Sequence, residues 1–248
     1  MYYKTVGLVL RETEYKDADK ILTVLTSDRG KVTLRARGVR SKSSKLKAGC
    51  QLLAYSEFTV FEGRSAQTVD EAVPIELFMP LREDIELLAL GSYFAQVAEV
   101  LSQEDAPSGS LLSLTLNSLA ALSRQNRPKR LVKSVFELKA ACIAGYEPML
   151  DGCAICGCEY PDRFHVTGGV VQCAACLMPG DNGIRLPVSS GALAAMRYVV
   201  GSDMKRAFSF RLDAQSEKEL SDITETYLVT QLERGFFTLD FYKSLLIT

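Results

Sequence analysis

Asp19-Lys-Ile-Leu-Thr-Val-Leu-Thr26, Ser27-Asp-Arg-Gly30 and Lys31-Val-Thr-Leu-Arg-Ala-Arg-Gly38 follow one another near the N-terminus. Two apolar, β-branched runs flank a charged break ending in glycine, the pattern of two strands joined by a turn. In the second run Val32, Leu34 and Ala36 alternate with Lys31, Thr33, Arg35 and Arg37. Neighbouring strand side chains point to opposite faces, so the first set fills a core while a row of cations faces outward. The same period recurs at Val6, Leu8 and Leu10. Five strands are expected, at 3–12, 19–27, 30–38, 50–62 and 66–74, with breaks at Glu14 to Asp17, Asp28-Arg29-Gly30, the Ser/Lys tract 40–48 and Glu62-Gly63. So many short strands in so little chain suit a small closed barrel of the OB-fold type.

Past Pro74 and Pro80 the period becomes 3.6: Leu87, Leu90, Phe94, Val97 and Leu101 share one helical face. A second helix is expected over 109–123. A third begins near Pro128, suited to a first turn, and ends at Gly145, suited to a C-terminal cap. Helical patterning returns at 189–200 and after Ser216, where Ser216 and Glu219 have capping-box spacing. The expected class is α+β multidomain: an OB-fold nucleic-acid-binding domain at 1–80, a helical domain formed by 81–149 and 188–248, and a metal-organised module inserted at 150–187.

The chain has 248 residues, 47% hydrophobic, 24% charged, with a formal net charge of -1. That is material for a real core, and no apolar run reaches the roughly 20 residues of a membrane span. The N-terminus enters strand-like sequence with no signal-peptide core, so a cytoplasmic location is expected. The near-neutral total conceals an asymmetry, since residues 1–80 carry 13 Lys/Arg against 10 Asp/Glu. A site for a polyanion is therefore sought at the N-terminal end.

Seven cysteines are present, four of them in two pairs, Cys153-Ala-Ile-Cys156 and Cys173-Ala-Ala-Cys176, with 16 residues between the pairs. This is zinc-ribbon spacing: each pair turns two thiolates toward one ion, and a hairpin turning at Gly168-Gly169 fits between them. Four thiolates leave no open coordination position, so structural Zn²⁺ would contribute folding energy rather than activate water. The competing readings are free thiols, iron in the same cage, and substitution by Cys158 or by His165, the one histidine. Cys50 and Cys142 lie in apolar contexts and are read as core.

Between Arg29 and Lys47 eight basic residues occur with no Asp or Glu. Lys31, Arg35, Arg37, Arg40, Lys42, Lys45 and Lys47 are the candidate nucleic-acid-binding residues, because a strand-spaced row and a flexible loop can reach phosphates without reading bases. The plain alternative is a solvated charged face. Tyr2, Tyr3, Tyr15, Tyr55 and Phe58 are the aromatics near enough to stack on bases. A weaker cluster, Arg124, Arg127, Lys129, Arg130 and Lys133, opens the third helix. Signatures of enzymes are missing: Gly30-Lys31 lacks the first glycine and the hydroxyl of a phosphate-binding loop, no Gly-x-Ser-x-Gly elbow occurs, and Asp17 and Asp19 have no acidic partners at nuclease spacing. No catalytic residue is expected.

Asp19 to Thr26, Gly30-Lys31, Ala36-Arg-Gly-Val-Arg40 and Ser43 to Leu46 resemble the N-terminal barrel of the RecO family, and Gly145-Tyr-Glu-Pro148, Leu150 and Cys153-Ala-Ile-Cys-Gly157 resemble the start of its zinc module. The order of barrel, helices, cysteine insertion and helix covers essentially the whole chain. The resemblance implies a recombination mediator and not an enzyme. Such a protein binds single- and double-stranded DNA, anneals complementary strands, associates with RecR and helps RecA replace single-stranded DNA-binding protein (SSB). It also implies a cytoplasmic, nucleoid-associated location and contact between the helical region and the SSB C-terminal tail; no local motif fixes the positions of that contact, and the five basic residues of 124–133 are taken as its rim. The alternative is a zinc-containing interaction adaptor with incidental DNA affinity.

Overall fold

The first strand must serve two neighbours, and a bulge lets it do so. In the computed structural model, which describes residues 1–63, 66–176 and 183–246, β1 (Tyr2–Tyr15) pairs through Tyr2–Leu8 with β4 (Tyr55–Glu62) and through Gly7–Tyr15 with β2 (Asp19–Thr26). The register shifts between Val9 and Arg11, leaving Leu10 unpaired and bending the strand from one partner to the other. β2 pairs antiparallel with β3 (Lys31–Ala36), β3 runs parallel to β5 (Gln67–Glu76), and β5 returns antiparallel to β4. The order β1-β2-β3-β5-β4 closes, giving the expected five-stranded OB-fold barrel. Leu22, Val24, Leu34, Ala36, Phe58 and Val60 fill it and are fully buried.

The fourth strand starts five residues later than expected, at Tyr55. Gln51 to Ala54 instead form a turn, with Leu53 at φ 60°, that covers the bulge: Leu53 N donates to Val9 O and Val9 N donates to Ala54 O. Cys50 and Leu53 are buried there, so the apolar pattern was right and the backbone conformation was not.

Beyond the barrel come α1 (Met79–Glu83), α2 (Ile85–Leu101), α3 (Gly109–Arg124) and α4 (Lys129–Ile143). They are followed by β6 (Arg163–His165), β7 (Val170–Gln172), β8 (Arg185–Pro187), α5 (Ser190–Gly201), α6 (Ala214–Gln231) and α7 (Phe237–Leu245). Pro128 sits at the N-cap of α4, one position earlier than a first-turn proline. The helix ends as expected: Gly145, at φ 91°, donates to Cys142 O and Tyr146 donates to Ala141 O, a Schellman cap. The capping box is a correction. α6 starts at Ala214 because Asp213 accepts from Gln215 N and Ser216 N. Ser216 lies inside the helix, and Glu219 accepts from Ser189 N instead.

The chain divides into two compact units, Met1–Arg124 joined by the residues from Phe236 onward, and Gln125–Gly235. This division cuts through the stretch expected to be one helical domain. α2, α3 and α7 sit in the unit of the barrel, where Phe236 meets the edge of Tyr93 at 5.6 Å and Thr238 N donates to Gln96. α4, α5 and α6 share the second unit with the small sheet, whose order is β7-β6-β8. Of the expected insertion at 150–187, residues 177–182 lie outside the described residues.

Candidate nucleic-acid interface and metal centre

β3 presents its residues as the alternation requires, with Val32, Leu34 and Ala36 buried and Lys31, Thr33 and Arg35 on the other face. The structure then separates the seven candidate cations into two groups. Arg35 is committed to the fold: its Nε and Nη2 donate to Asp19 Oδ2 at 2.9 and 2.6 Å, while Asp19 Oδ1 accepts from Gly38 N at 2.8 Å. The Gly38 amide and the Arg35 guanidinium hold the Asp19 carboxyl below its ordinary value. Gly38 turns the chain at φ 62°, a conformation that glycine adopts without strain. Lys31 Nζ donates to Glu99 O at 3.1 Å, and Arg40 reaches Glu14 at 3.1 Å and Asp17 O at 3.2 Å. Arg37, Lys42, Lys45 and Lys47 are exposed, and among the described residues none of the four has a hydrogen bond or ion pair. They are the cations available to a ligand. Asp19 is engaged by Arg35 and Gly38, and neither it nor Asp17 belongs to a group of three or more metal-ligating side chains among the described residues.

Arg35 and Arg37 also line a groove of about 550 Å³ on the barrel, with Tyr2, Phe61, Thr68 and Asp70 among its other walls. The aromatics singled out from the sequence fare differently. Phe58 is fully buried in the barrel. Tyr3 carries the Arg29 guanidinium 4.1 Å from its ring centre and donates its hydroxyl to Gln67. Tyr55 is half-buried, and Tyr15 lies under Arg35 at 5.2 Å. Tyr2 remains open and is joined by Phe61, which sequence reasoning passed over. Its signal was parity: Phe58 and Val60 face inward, so Phe61 faces out.

In the second unit, the sulfurs of Cys153, Cys156, Cys173 and Cys176 lie within 4.8 Å of one another. A tetrahedral ion with metal–sulfur bonds of about 2.3 Å needs sulfurs about 3.8 Å apart; Cys156 and Cys173 are 3.9 Å apart. The donor set therefore fits a single thiophilic cation. The Cys156 amide, followed by those of Ile155 and Cys173, brings the Cys153 thiol down to about 6, as a metal-binding thiolate requires. Hydrogen bonding from Cys156 and burial push Cys176 up to about 11, because neighbouring thiols cannot all ionise without a cation between them. Gly168 and Gly169 turn the β6–β7 hairpin between the pairs, Gly169 at φ 61°. Cys158 is outside the group, its carbonyl accepting from Cys153 N at 2.8 Å. His165 is outside it too, and its Nδ1 accepts from Gly168 N. Cys50 is buried and Cys142 half-buried, and burial raises both thiols, to about 12 and about 11.

Within the basic run 124–133, Arg124 and Arg130 are exposed. Arg124 belongs to the first unit, and Lys133 is buried in the second, bonded to Glu137 at 2.9 Å and to Glu225 at 2.8 Å. No helix among the described residues is long and apolar enough to cross a membrane.

Comparison with known proteins covers the same ground. Residues 1–78 match the family model for the recombination protein O N terminal domain, and residues 82–240 match that for the C terminal domain. The "DNA repair protein RecO" of Acetivibrio thermocellus is 35% identical over 98% of this chain and 97% of its own length. Proteins of the same description from Symbiobacterium thermophilum and Alkaliphilus metalliredigens are 31% and 29% identical, over 98% and 99% of this chain and 97% and 100% of theirs. With a closed N-terminal barrel, a four-cysteine group and matches along nearly its whole length, the chain belongs to the RecO family of DNA repair proteins.

Proposed function

We propose that this chain is a non-enzymatic recombination mediator that binds single- and double-stranded DNA through its barrel and anneals complementary strands. The observation that carries the reading is a set of four exposed cations, Arg37, Lys42, Lys45 and Lys47, in the loop that follows β3, none of which has a hydrogen bond or ion pair among the described residues. Cations without protein partners keep their full charge for phosphates, and neutralising phosphates on two strands removes the repulsion that opposes pairing. Lys31, Arg35 and Arg40 add to the positive field while Arg35 and Arg40 hold the start of the loop in place and Lys31 bonds Glu99 O. The barrel domain at 1–80 thus serves DNA. Zn²⁺ held by Cys153, Cys156, Cys173 and Cys176 organises the module at 150–187, and the helical segments 81–149 and 188–248 serve partners.

Those partners, on this reading, are RecR and the acidic C-terminal tail of SSB, and the outcome is RecA loading on SSB-coated single strands. The protein works in the cytoplasm at the nucleoid. Annealing of two complementary labelled oligonucleotides, followed by energy transfer, tests the proposal. Wild type accelerates pairing over the spontaneous rate, and Arg37→Glu/Lys42→Glu/Lys45→Glu/Lys47→Glu returns it to that rate. Equal acceleration by both proteins would remove the barrel from the mechanism and favour an adaptor role.

A further inference from the structure

We infer that the groove beside Arg37 is a nucleobase subsite, in which Tyr2 and Phe61 stack an unpaired base while Arg37 holds the adjoining phosphate. The inference rests on the DNA-binding reading and adds to that site a preference for single strands.

Tyr2 and Phe61 face each other across the β1–β4 pair, their rings 5.1 Å apart and tilted by 57°. Both stand on the outer surface of the barrel, Tyr2 58% and Phe61 43% exposed. Exposed apolar rings cost solvation, and neither has a role in the core. The groove they border, about 550 Å³, falls in the range of about 300–1,000 Å³ typical of clefts for small ligands. Its walls are unequal. Arg37, exposed and with no hydrogen bond or ion pair among the described residues, supplies positive charge on the β3 side, whereas Asp70 on β5 repels phosphate. A strand crossing here is therefore oriented, with its backbone toward Arg37 and the lysine loop and its base toward the rings.

Arg35 shapes this wall without competing for the ligand, because Asp19 already holds it. A duplex offers no free base face and gains only the phosphate contacts. An unpaired base gains both. Base–aromatic stacking depends on the π-face of the base rather than its edges, so the subsite reads strandedness and not sequence.

The chain contains no tryptophan, so Phe61→Trp introduces a single tryptophan at the subsite, excited selectively above the tyrosine band. Oligothymidylate and an abasic strand of equal length are titrated against that variant and against wild type. We expect oligothymidylate to quench the new tryptophan and the abasic strand to leave it unquenched. In parallel, Tyr2→Leu/Phe61→Leu, which keeps apolar bulk and so keeps the fold, should bind oligothymidylate about tenfold more weakly, with duplex binding unchanged. Equal wild-type affinity for base-bearing and abasic strands, or a leucine variant indistinguishable from wild type, overturns the subsite while leaving phosphate binding in place. Failure of wild type to bind any strand overturns the DNA reading itself, and the subsite with it.

Discussion

Arg35 and Arg37 occupy the same face of the same segment, and what separates them is Asp19. Sequence alternation put both outside the core correctly. It could not show which was already spoken for, because the Asp19 carboxylate arrives through the β2–β3 register rather than through local spacing. The difference is measurable. Arg35→Gln should lower the thermal midpoint and leave the salt dependence of DNA binding nearly unchanged, whereas Arg37→Gln should leave the midpoint and reduce the log–log salt slope on single strands by about 0.7. Asp19 supplies a pH signature. Its carboxyl is depressed by the Gly38 amide and by Arg35, so its stabilisation is complete above the ordinary value of 3.8 and disappears as pH falls from there through the folded value. Asp19→Asn should therefore be less stable than wild type at neutral pH, with the gap narrowing in acid titration; a constant gap would contradict the assignment. Lys133 makes the same point about burial. In the sequence it is one of five cations at the opening of a helix, yet it stands between Glu137 and Glu225. Burial penalises its ammonium, and the two carboxylates more than offset this, raising its pKa. Lys133→Met should cost about 3–5 kcal/mol in chemical denaturation, because it strands buried carboxylate, and pairing it with Glu137→Leu should recover part of that loss.

Elements whose signal is local were legible from the sequence, and those made by long-range return were not. The two Cys-x-x-Cys pairs and their hairpin depend on neighbours a few residues apart, and the structure brings the same four sulfurs together. α7 had no comparable signal: its place in the first unit rests on Phe236 reaching Tyr93 and Thr238 reaching Gln96. The start of α6 was misread because Ser216 and Glu219 have capping-box spacing, while Asp213, three residues before Ser216, accepts the orphan amides. At the element scale, the module and its flanking helix can be tested separately. Ser189 caps α5 through its Oγ and Ala192 N at 3.2 Å, so Ser189→Ala should cost about 0.5–2 kcal/mol of stability. Chelation should lower the melting transition of the unit spanning 125–235, since a closed four-thiolate site couples metal binding to folding. Far- and near-ultraviolet circular dichroism with and without chelator would check this, and an unchanged transition would remove the structural ion.

For the whole molecule, the sequence supported the barrel because five strand-like runs in so little chain, two of them with period-two patterning, leave few ways to bury their apolar faces other than closure. The boundary between units was less accessible, since α2, α3 and α4 all carry apolar faces and sequence does not say which partner covers each. Function at this scale rests on the distribution of charge. A chain of net charge -1 binds a polyanion best where its cations are gathered and exposed, and Arg37, Lys42, Lys45 and Lys47, which have no hydrogen bond or ion pair among the described residues, meet that condition. The most direct test is fluorescence anisotropy of a labelled single strand across a salt titration, for wild type and for Arg37→Glu/Lys42→Glu/Lys45→Glu/Lys47→Glu, with folding monitored by circular dichroism. Wild-type affinity should fall steeply with salt, by a slope of about 0.7 for each phosphate contact, and the folded variant should lose most of both affinity and slope. Equal affinity and equal slope in the two proteins would contradict the account.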